Sequence, residues 1–382
     1  MSAAIGAAPI APPAVQTRAG EVRSFTPSDL PGVAALFQRV FIRKAGPVPP
    51  ALAPCLAEIF LEHPWSDPDL PSRVYVTAEG MVGGFLGVIP VRMSHRGRPV
   101  RMAVASSMMV ERPEANPLVG ARLLRSFFQG PQDLSLTETA NLVARQMWLR
   151  LGAKVLPMHS LEWVCILRPA GLGVDLAANH VLPQLKILRP PAAMLDALLA
   201  HRPRMPPLPD SGLEARGSDV TLEDFARFIP GAVSGFSLRP EFDVPTLRWM
   251  LAHAASKERY GTPVARIVPD RAGHPAGGYF GHVERRGLLR VLQILAAPGK
   301  AEAVLDDILA HAWRLGAVAV TGRGQPELHE ALQVRNCYFR CAGFTIVHSL
   351  SPELIDAFRN ADACASGLAG ETWIRLIGNE FG

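Results

Sequence analysis

The sequence predicts an α/β protein made of two units, each with a mixed, mostly antiparallel sheet flanked by helices. Strand and helix patterns alternate along the first half of the chain, and the same order of elements recurs in the second half. A proline-rich stretch separates the two halves. Because 382 residues exceed the usual size of one hydrophobic core, we expect two domains in tandem.

Composition places the chain among globular proteins, with 48% hydrophobic and 19% charged residues. The net charge of +5 favours an anionic ligand or an acidic carrier protein. Its arginines are dispersed and form no basic block, which argues against nucleic acid as a partner. No apolar run is long enough to span a membrane. Five cysteines without a CxxC pair predict reduced thiols and a cytoplasmic location.

Residues 1–20 are rich in alanine and proline and lack a basic start, so we expect a disordered tail there instead of a signal peptide. The first domain is predicted to span residues 21–190. A linker follows at 191–217, where the sequence PRMPPLPDSG stands. The second domain is predicted to span residues 218–382.

The first unit begins with a strand from Val22 to Phe25. Thr26 as cap and Pro27 at the first helical position then predict a helix start, and apolar residues continue at helical spacing to Phe41. The elements that follow are a short helix at Leu52 to Leu61, strands at Arg73 to Ala78, Met81 to Arg92 and Arg101 to Val110, a helix ending at Phe128, a strand at Leu134 to Thr137, a helix at Asn141 to Leu151 and a strand at Leu161 to Leu167.

The second unit follows a helical piece at Ala192 to Leu199 and repeats the order of elements. Its predicted helices are Leu222 to Phe228, Pro245 to Ala255, Lys300 to Leu315 and Pro326 to Val334. Its predicted strands are Val264 to Val268, Gly277 to Val283, Leu288 to Leu295, Ala317 to Thr321, Phe344 to Ser349 and Thr372 to Leu376.

The stretch from Met108 to Phe128 carries the strongest functional signal. It runs from a strand end through a proline-punctuated loop into an amphipathic helix. Backbone N–H groups at such a helix start suit a phosphate, and the small residues Gly120 and Ala121 would let the ligand approach them. Arg122 would add a positive charge. The alternative is a tight strand-to-helix corner in which Arg122 faces solvent.

Two motifs in this region resemble those of the GCN5-related N-acetyltransferase (GNAT) superfamily. The lead-in Val110-Glu111-Arg112-Pro113 and the loop from Asn116 to Ala121 resemble its acyl-CoA loop, with Val119 where the family has Gly. The pattern of Asn141, Ala144, Trp148, Leu151 and Gly152 resembles a later helix of the family, in which Tyr usually stands at the position of Trp148. The resemblance implies two GNAT-like domains in tandem, each with a splayed sheet.

The resemblance also implies which residues bind acetyl-CoA or another acyl-CoA. The backbone near Met109 and Val110 would polarise the thioester carbonyl. The other implied cofactor contacts are Asn116, Gly120, Ala121, Arg122, Asn141 and Trp148. Indole cannot replace the tyrosine hydroxyl that usually protonates the leaving thiolate in this family. The second unit has only Pro298-Gly299 at the corresponding loop, so the first half is expected to bind the cofactor and the second to shape the substrate cleft.

Acyl transfer to an amine needs a base, and two residues are candidates. Glu138 follows the predicted fifth strand, although an acidic residue beside Thr137 and Thr139 also suits a helix start. His159 precedes a strand that the fold places beside the cleft, and a lone His is more often structural. Glu111 is an alternative base.

Three other residues have both a functional and a structural interpretation. Asn141 suits a helix cap as well as a cofactor contact. Gln293 is a polar residue within an apolar strand, where it would contact substrate or satisfy a neighbouring strand. Cys337 and Cys341 have the spacing of a metal pair on a helix, but two small buried residues are the favoured interpretation and no metal is expected.

Taken together, the sequence predicts an acyl-CoA-dependent N-acyltransferase that acetylates a primary amine of a small molecule, amino sugar or peptide by direct attack in a ternary complex. An acyl carrier protein is an alternative donor. A catalytically inactive GNAT-like protein that binds a ligand or partner is the alternative function.

Overall fold

The computed structural model describes residues 20–43, 46–180, 184, 188–199, 216–284, 287–378 and 381. The described strands are β1 (Glu21–Ser24), β2 (Arg73–Val76), β3 (Val82–His95), β4 (Arg98–Val110), β5 (Leu134–Ala140), β6 (Lys154–Val155), β7 (Leu161–Ile166), β8 (Ser218–Asp219), β9 (Leu238–Pro240), β10 (Thr262–Pro269), β11 (Pro275–Val283), β12 (Leu288–Ala296), β13 (Ala319–Arg323), β14 (Tyr338–Cys341) and β15 (Phe344–His348). The described α-helices are α1 (Leu30–Phe37), α2 (Leu52–Phe60), α3 (Val119–Phe128), α4 (Leu142–Arg150), α5 (Pro169–His180), α6 (Arg189–Leu199), α7 (Leu222–Ala232), α8 (Val244–Ala255), α9 (Ala301–Arg314), α10 (His329–Val334) and α11 (Pro352–Arg359).

These strands form two sheets, and helices flank both. The first sheet has the order β1-β2-β3-β4-β5-β15-β6, with β9 paired to β3. The second has the order β14-β7-β13-β12-β11-β10-β8. Among the described pairs, β4–β5 and β12–β13 are parallel and the others are antiparallel. The predicted fold class is therefore confirmed.

The two sequence halves exchange strands. β7 follows the first half's α4 along the chain but pairs with β13 and β14 in the second sheet. β15 lies in the second half but pairs with β5 and β6 in the first sheet. The sequence boundary predicted at 191–217 therefore does not separate the two sheets.

The largest hydrophobic cluster also joins the two halves. Its members include Phe85 and Ile89 on β3, Leu247 on α8, Phe280 on β11 and Trp373 near the C-terminus. All of these side chains are buried. Because hydrophobic burial is the dominant favourable term in folding, each half depends on the other for a large part of its core.

Most predicted elements of the described part are confirmed, with differences of a few residues at their ends. Thr372 to Leu376 is not a strand but a series of turns. Its backbone binds side chains instead of a neighbouring strand: the Thr372 N–H donates to the Glu138 carboxylate at 3.2 Å, and the Ile374 carbonyl accepts from Lys257 Nζ at 2.5 Å. The apolar pattern of this stretch indicated burial correctly, but it did not indicate which groups bind its backbone. The predicted tail falls almost entirely outside the described residues, as does the part of the predicted linker at 200–215.

None of the helices within the described ranges has both the length and the apolar character that crossing a bilayer requires.

Candidate active site

The two parallel strands of the first sheet separate at their C-terminal ends. β4 and β5 are paired from Met102–Leu134 to Val104–Leu136, and both strands continue beyond that point without pairing to each other. A β-bulge in β4 lies in the separated part, where the register with β3 shifts and Ser107 has a φ of 52°. A bulge bends its strand and increases the local twist. The separation leaves backbone groups of both strands facing a gap.

A cavity of about 880 Å³ occupies this gap. β4 contributes residues 105–108, β5 contributes Thr137, Thr139 and Ala140, and α4 with its cap contributes Asn141, Ala144 and Trp148. Another part of the lining is formed around the end of α1 by Phe37, Gln38, Phe41, Ile42 and residues 46–50, and by the C-terminal residues Glu371, Leu376, Ile377, Gly378 and Phe381. Arg259 also lines the cavity. The cavity size is that of a site for a small molecule or cofactor.

Glu371 is the acidic side chain among the described lining residues of this cavity. Its Oε1 accepts hydrogen bonds from Thr139 Oγ1 at 2.8 Å, from the backbone N–H groups of Thr139 and Glu138 at 3.0 Å, and from Thr137 Oγ1 at 3.4 Å. These donors fix the carboxylate at the end of β5.

Glu138, the predicted base, points away from the cavity, and the described lining does not include it. Its carboxylate accepts hydrogen bonds from the backbone N–H groups of Gly367 at 3.1 Å, Glu371 at 2.6 Å and Thr372 at 3.2 Å. Burial raises the pKa of the Glu138 carboxyl to about 7. Because its oxygens are occupied by these donors, the geometry supports a structural role that holds the C-terminal segment on β5.

His159, the second candidate base, lies in a short 3₁₀ turn before β7 and is buried. Its ring packs edge-on against Phe358, with ring centroids 5.9 Å apart. Burial lowers the pKa of His159 to about 4. The described lining of the cavity includes neither His159 nor Glu138, although Thr345 Oγ1 contacts the backbone carbonyls of both at 2.9 Å and 3.5 Å.

Two of the predicted cofactor residues do line the cavity, and both belong to α4 or its cap. Asn141 caps the helix, because its Oδ1 accepts the Ala144 N–H at 2.9 Å. The predicted capping role is therefore confirmed. Trp148 is buried, and its ring lies 5.0 Å from Phe128 and 6.0 Å from Phe127 between centroids.

The other predicted cofactor contacts are not part of the described cavity lining: Met109, Val110, Asn116, Gly120, Ala121 and Arg122. They lie on the end of β4, on the connecting loop and in the first turn of α3. The Arg122 guanidinium donates to the Gly20 carbonyl at 2.7 Å and lies over the Tyr75 ring. Arg122 is exposed, as the alternative interpretation predicted, and it is not part of the described cavity lining. Glu111, the alternative base, forms a salt bridge with Arg39 at 2.9 Å.

The second parallel pair, β12 and β13, differs from the first because a segment of the chain near Gly367 contacts β12. Gln293 on β12 is buried, and its Oε1 accepts the Leu368 N–H at 2.9 Å. Gly367 approaches so closely that a Cβ there would lie 2.3 Å from Gln293 Oε1. Gln293 therefore binds the C-terminal segment, and the described lining of the cavity does not include it.

The two cysteines with metal-like spacing do not share a helix. Cys337 is buried after α10, whereas Cys341 is exposed at the end of β14. Within the described ranges, no three His, Cys, Asp or Glu side chains form a group that could hold a metal ion.

Sequence reasoning missed several polar residues of the cavity, among them Ser106, Ser107 and Glu371. The two serines lie in an apolar strand. A β-bulge in that strand is the feature that could have identified them. Glu371 follows Thr139 by 232 positions. No local pattern indicates a contact over that separation.

Three solved structures resemble the chain in fold. A conserved protein from Enterococcus faecalis V583, described as a probable N-acyltransferase, has a TM-score of 0.55 and 10% identity, with 87% of this chain and 73% of that chain covered. A GCN5-related N-acetyltransferase from Kribbella flavida has a TM-score of 0.53 and 14% identity, with coverages of 87% and 71%. One from Anabaena variabilis ATCC 29413 has a TM-score of 0.53 and 11% identity, with coverages of 87% and 73%.

No protein-family model and no curated protein matches the chain. The structural likeness shows that the chain has the fold of the GNAT superfamily, as the sequence motifs predicted. It does not extend to the substrate or to the reaction, because a fold can host several functions.

Proposed function

We propose that the protein is an acyl-CoA-dependent acyltransferase that transfers an acetyl group to a primary amine in a ternary complex. The observation that carries this proposal is the separation of β4 and β5 around a cavity of about 880 Å³. A gap between two separated strands suits an extended ligand with amide groups, which can hydrogen-bond to the separated edge of β4.

The side chains along this gap fit such a donor. Ala105, Ala140 and Ala144 leave room beside the backbone, and Ser106 and Ser107 offer hydroxyl groups. The bulged backbone at Ser107 and Met108 is our candidate for the donor to the thioester carbonyl. Acetyl-CoA is the proposed donor, and an acyl carrier protein would present the same thioester arm.

Phosphate groups of the donor would lie at the start of α3. Asn116, Gly120 and Ala121 remain the proposed contacts there, because a helix N-terminus attracts anions. The Arg122 guanidinium is already engaged with Gly20 and Tyr75, so we propose that it stabilises the corner.

Trp148 shapes the donor end of the cavity in this proposal. Its indole N–H is not acidic enough to protonate a leaving thiolate. We therefore assign it a packing role and expect that proton to come from the attacking amine or from water. The five unpaired cysteines support a cytoplasmic location.

The test is binding of acetyl-CoA followed by turnover. A ligand that binds only the folded state at about 100 times its Kd adds about 2.7 kcal/mol to the free energy of unfolding, so Tm should rise by several degrees. ADP serves as the control for unspecific attraction of phosphate to a basic protein. Release of free thiol in the presence of amines then measures turnover.

Two variants of neighbouring residues localise the binding site. Ala144→Phe narrows the cavity and should remove the Tm shift caused by acetyl-CoA, because Ala144 lines it. Val143→Phe is the matched control, since Val143 is 67% exposed and lies outside the described lining. Absence of any shift with the unaltered protein would exclude the proposed function. A shift without turnover against any amine would favour the ligand-binding alternative.

A further inference from the structure

We propose that the acceptor is a primary amine on an apolar body and that Glu371 is the base that receives its proton. This inference rests on the proposed acyl transfer and specifies its substrate class. It combines two independent observations, an available carboxylate oxygen inside the cavity and an exposed apolar wall around it.

The first observation concerns the two oxygens of Glu371, whose side chain is only 1% exposed. Oε1 accepts the four hydrogen bonds from Thr137, Glu138 and Thr139 described above. Oε2 accepts no hydrogen bond from the residues that the structure describes, although Glu371 lines the cavity. An ionised carboxylate has acceptor capacity at both oxygens. The fixed carboxylate therefore presents a charged acceptor to a ligand.

An ammonium group is the chemical complement of this oxygen. It carries hydrogen-bond donors and a positive charge, and charge-assisted bonds of this kind are stronger than neutral ones. Glu371 lines the same cavity as Ser106 and Ser107, and it is hydrogen-bonded to the separated end of β5. An amine bound to Oε2 would thus lie on the same cavity as the proposed thioester site.

The second observation is the apolar wall formed by the end of α1, the loop after it and the C-terminal residues. Phe41, Val48 and Ile377 line this part of the cavity and are 50%, 36% and 37% exposed. Pro49 and Phe381 lie in the same wall. Exposed large apolar side chains grouped in a concave site indicate an apolar ligand.

The Glu371 carboxylate alone would accept any primary ammonium group. The apolar wall restricts which of these amines fit the cavity. An amino sugar or a polyamine would place hydroxyl or ammonium groups against phenylalanine, valine and isoleucine, whose side chains offer no hydrogen-bond partner. An alkyl or arylalkyl chain would remove apolar surface from water on both sides. The cavity therefore favours an amine with one charged end and an apolar remainder.

The reaction then balances with the groups named. The bound ammonium gives one proton to Glu371 Oε2, and the free amine nitrogen attacks the thioester carbonyl carbon. A C–N bond forms and the C–S bond breaks. The thiolate takes the second proton from the nitrogen, which leaves an amide and a free thiol. Glu371 finally returns its proton to water.

The substrate class is tested by thiol release from acetyl-CoA with four primary amines. We expect 2-phenylethylamine and octylamine to have a kcat/KM at least tenfold above that of glucosamine and spermidine. Phe41→Ser should raise the KM for 2-phenylethylamine about tenfold with little change in kcat. Leu350→Ser is the matched control, because Leu350 is 92% exposed outside the described cavity lining and its loss should change neither constant.

The role of Glu371 is tested by Glu371→Gln, whose amide oxygen can still accept the four hydrogen bonds made by Oε1. We expect a loss in kcat on the order of 100-fold or more, the range of general base catalysis, with the Kd for acetyl-CoA within about twofold of the original. Glu327→Gln, at an acidic residue outside the described lining, should leave kcat unchanged. If Glu371→Gln does not fold, Glu371→Asp, which withdraws the charge from the amine, should lower kcat in the same way.

The outcomes of these tests distinguish the proposal for the acceptor and the base from the underlying proposal of acyl transfer. Equal or better use of the polar amines would overturn the apolar acceptor, and full activity of Glu371→Gln or Glu371→Asp would overturn the base. In both cases retained acetyl-CoA binding and turnover would leave the acyltransferase proposal intact. Failure of the unaltered protein to bind acetyl-CoA would overturn both proposals together.

Discussion

Glu138 and Glu371 bind each other's backbone through their carboxylates. The Glu371 N–H donates to Glu138 Oε2 at 2.6 Å, and the Glu138 N–H donates to Glu371 Oε1 at 3.0 Å. Both side chains are buried. This reciprocal arrangement attaches the C-terminal segment to β5, at the point where β5 separates from β4. It makes the last part of the chain a wall of the candidate active site.

Gly370 gives a direct test of this attachment. A Cβ at Gly370 would lie 1.9 Å from Glu138 Oε2, and three backbone N–H groups hold that carboxylate in place. Gly370→Ala must therefore displace a buried, hydrogen-bonded carboxyl group. We expect it to lower the free energy of unfolding by about 2–4 kcal/mol, measured by denaturant titration.

Gly231→Ala is the matched control for that substitution. Gly231 lies in α7, and a Cβ there meets no atom within 4 Å. Alanine is the better helix former, so this variant should be neutral or more stable by up to about 1 kcal/mol. Equal stability of the two variants would contradict the described packing around Glu138.

Stability should fall on mild acidification because four buried histidines are neutral in the folded protein. Burial lowers the pKa values of His63, His159, His253 and His282 to about 4. The unfolded chain takes up these protons near pH 6.5, so the free energy of unfolding decreases as pH falls from about 6.5 to about 4. Glu138 opposes this change between about pH 7 and 4.5, since burial raises its pKa to about 7, but it is one group against four.

The measurement is Tm at pH 7.5 and 5.5. His63→Asn should reduce the drop in Tm between these two pH values, because asparagine does not titrate. Its side-chain oxygen can replace Nδ1 as the acceptor of the backbone N–H of Trp65. His274→Asn, at an exposed position, should leave the drop as it is. A Tm that rises on acidification would contradict this prediction.

The exchange of β7 and β15 predicts that the two sheets unfold together. Each sheet contains a strand from the other half, and the largest core cluster includes residues from both halves. Partial unfolding of one half would therefore expose strand edges and apolar surface of the other. We expect one transition in denaturant, with coincident midpoints by far-UV circular dichroism and tryptophan fluorescence.

The same probes applied to Gly370→Ala provide the control for this prediction. If the sheets are coupled, the substitution should shift both midpoints equally. Two separated transitions, with only one moved by Gly370→Ala, would show that the halves unfold independently.

The sequence by itself determined most of the secondary structure, because the signals for it are local. Thr26 and Pro27 marked the start of the first helical segment, which the structure begins with a 3₁₀ turn and a capping box. Asn141 marked the cap of α4. The motifs around Gly120 and Trp148 also indicated the GNAT fold, which the structural likeness confirms.

Tertiary structure decided where those elements pair and which side chains meet in the cavity. The apolar run at Thr372 to Leu376 resembles a strand, but a period of alternation does not reveal that its backbone is bound by Glu138 and Lys257. The same holds for Glu371. Its position at the end of β5 depends on a contact between segments more than 200 positions apart, and such contacts arise from packing of the whole chain.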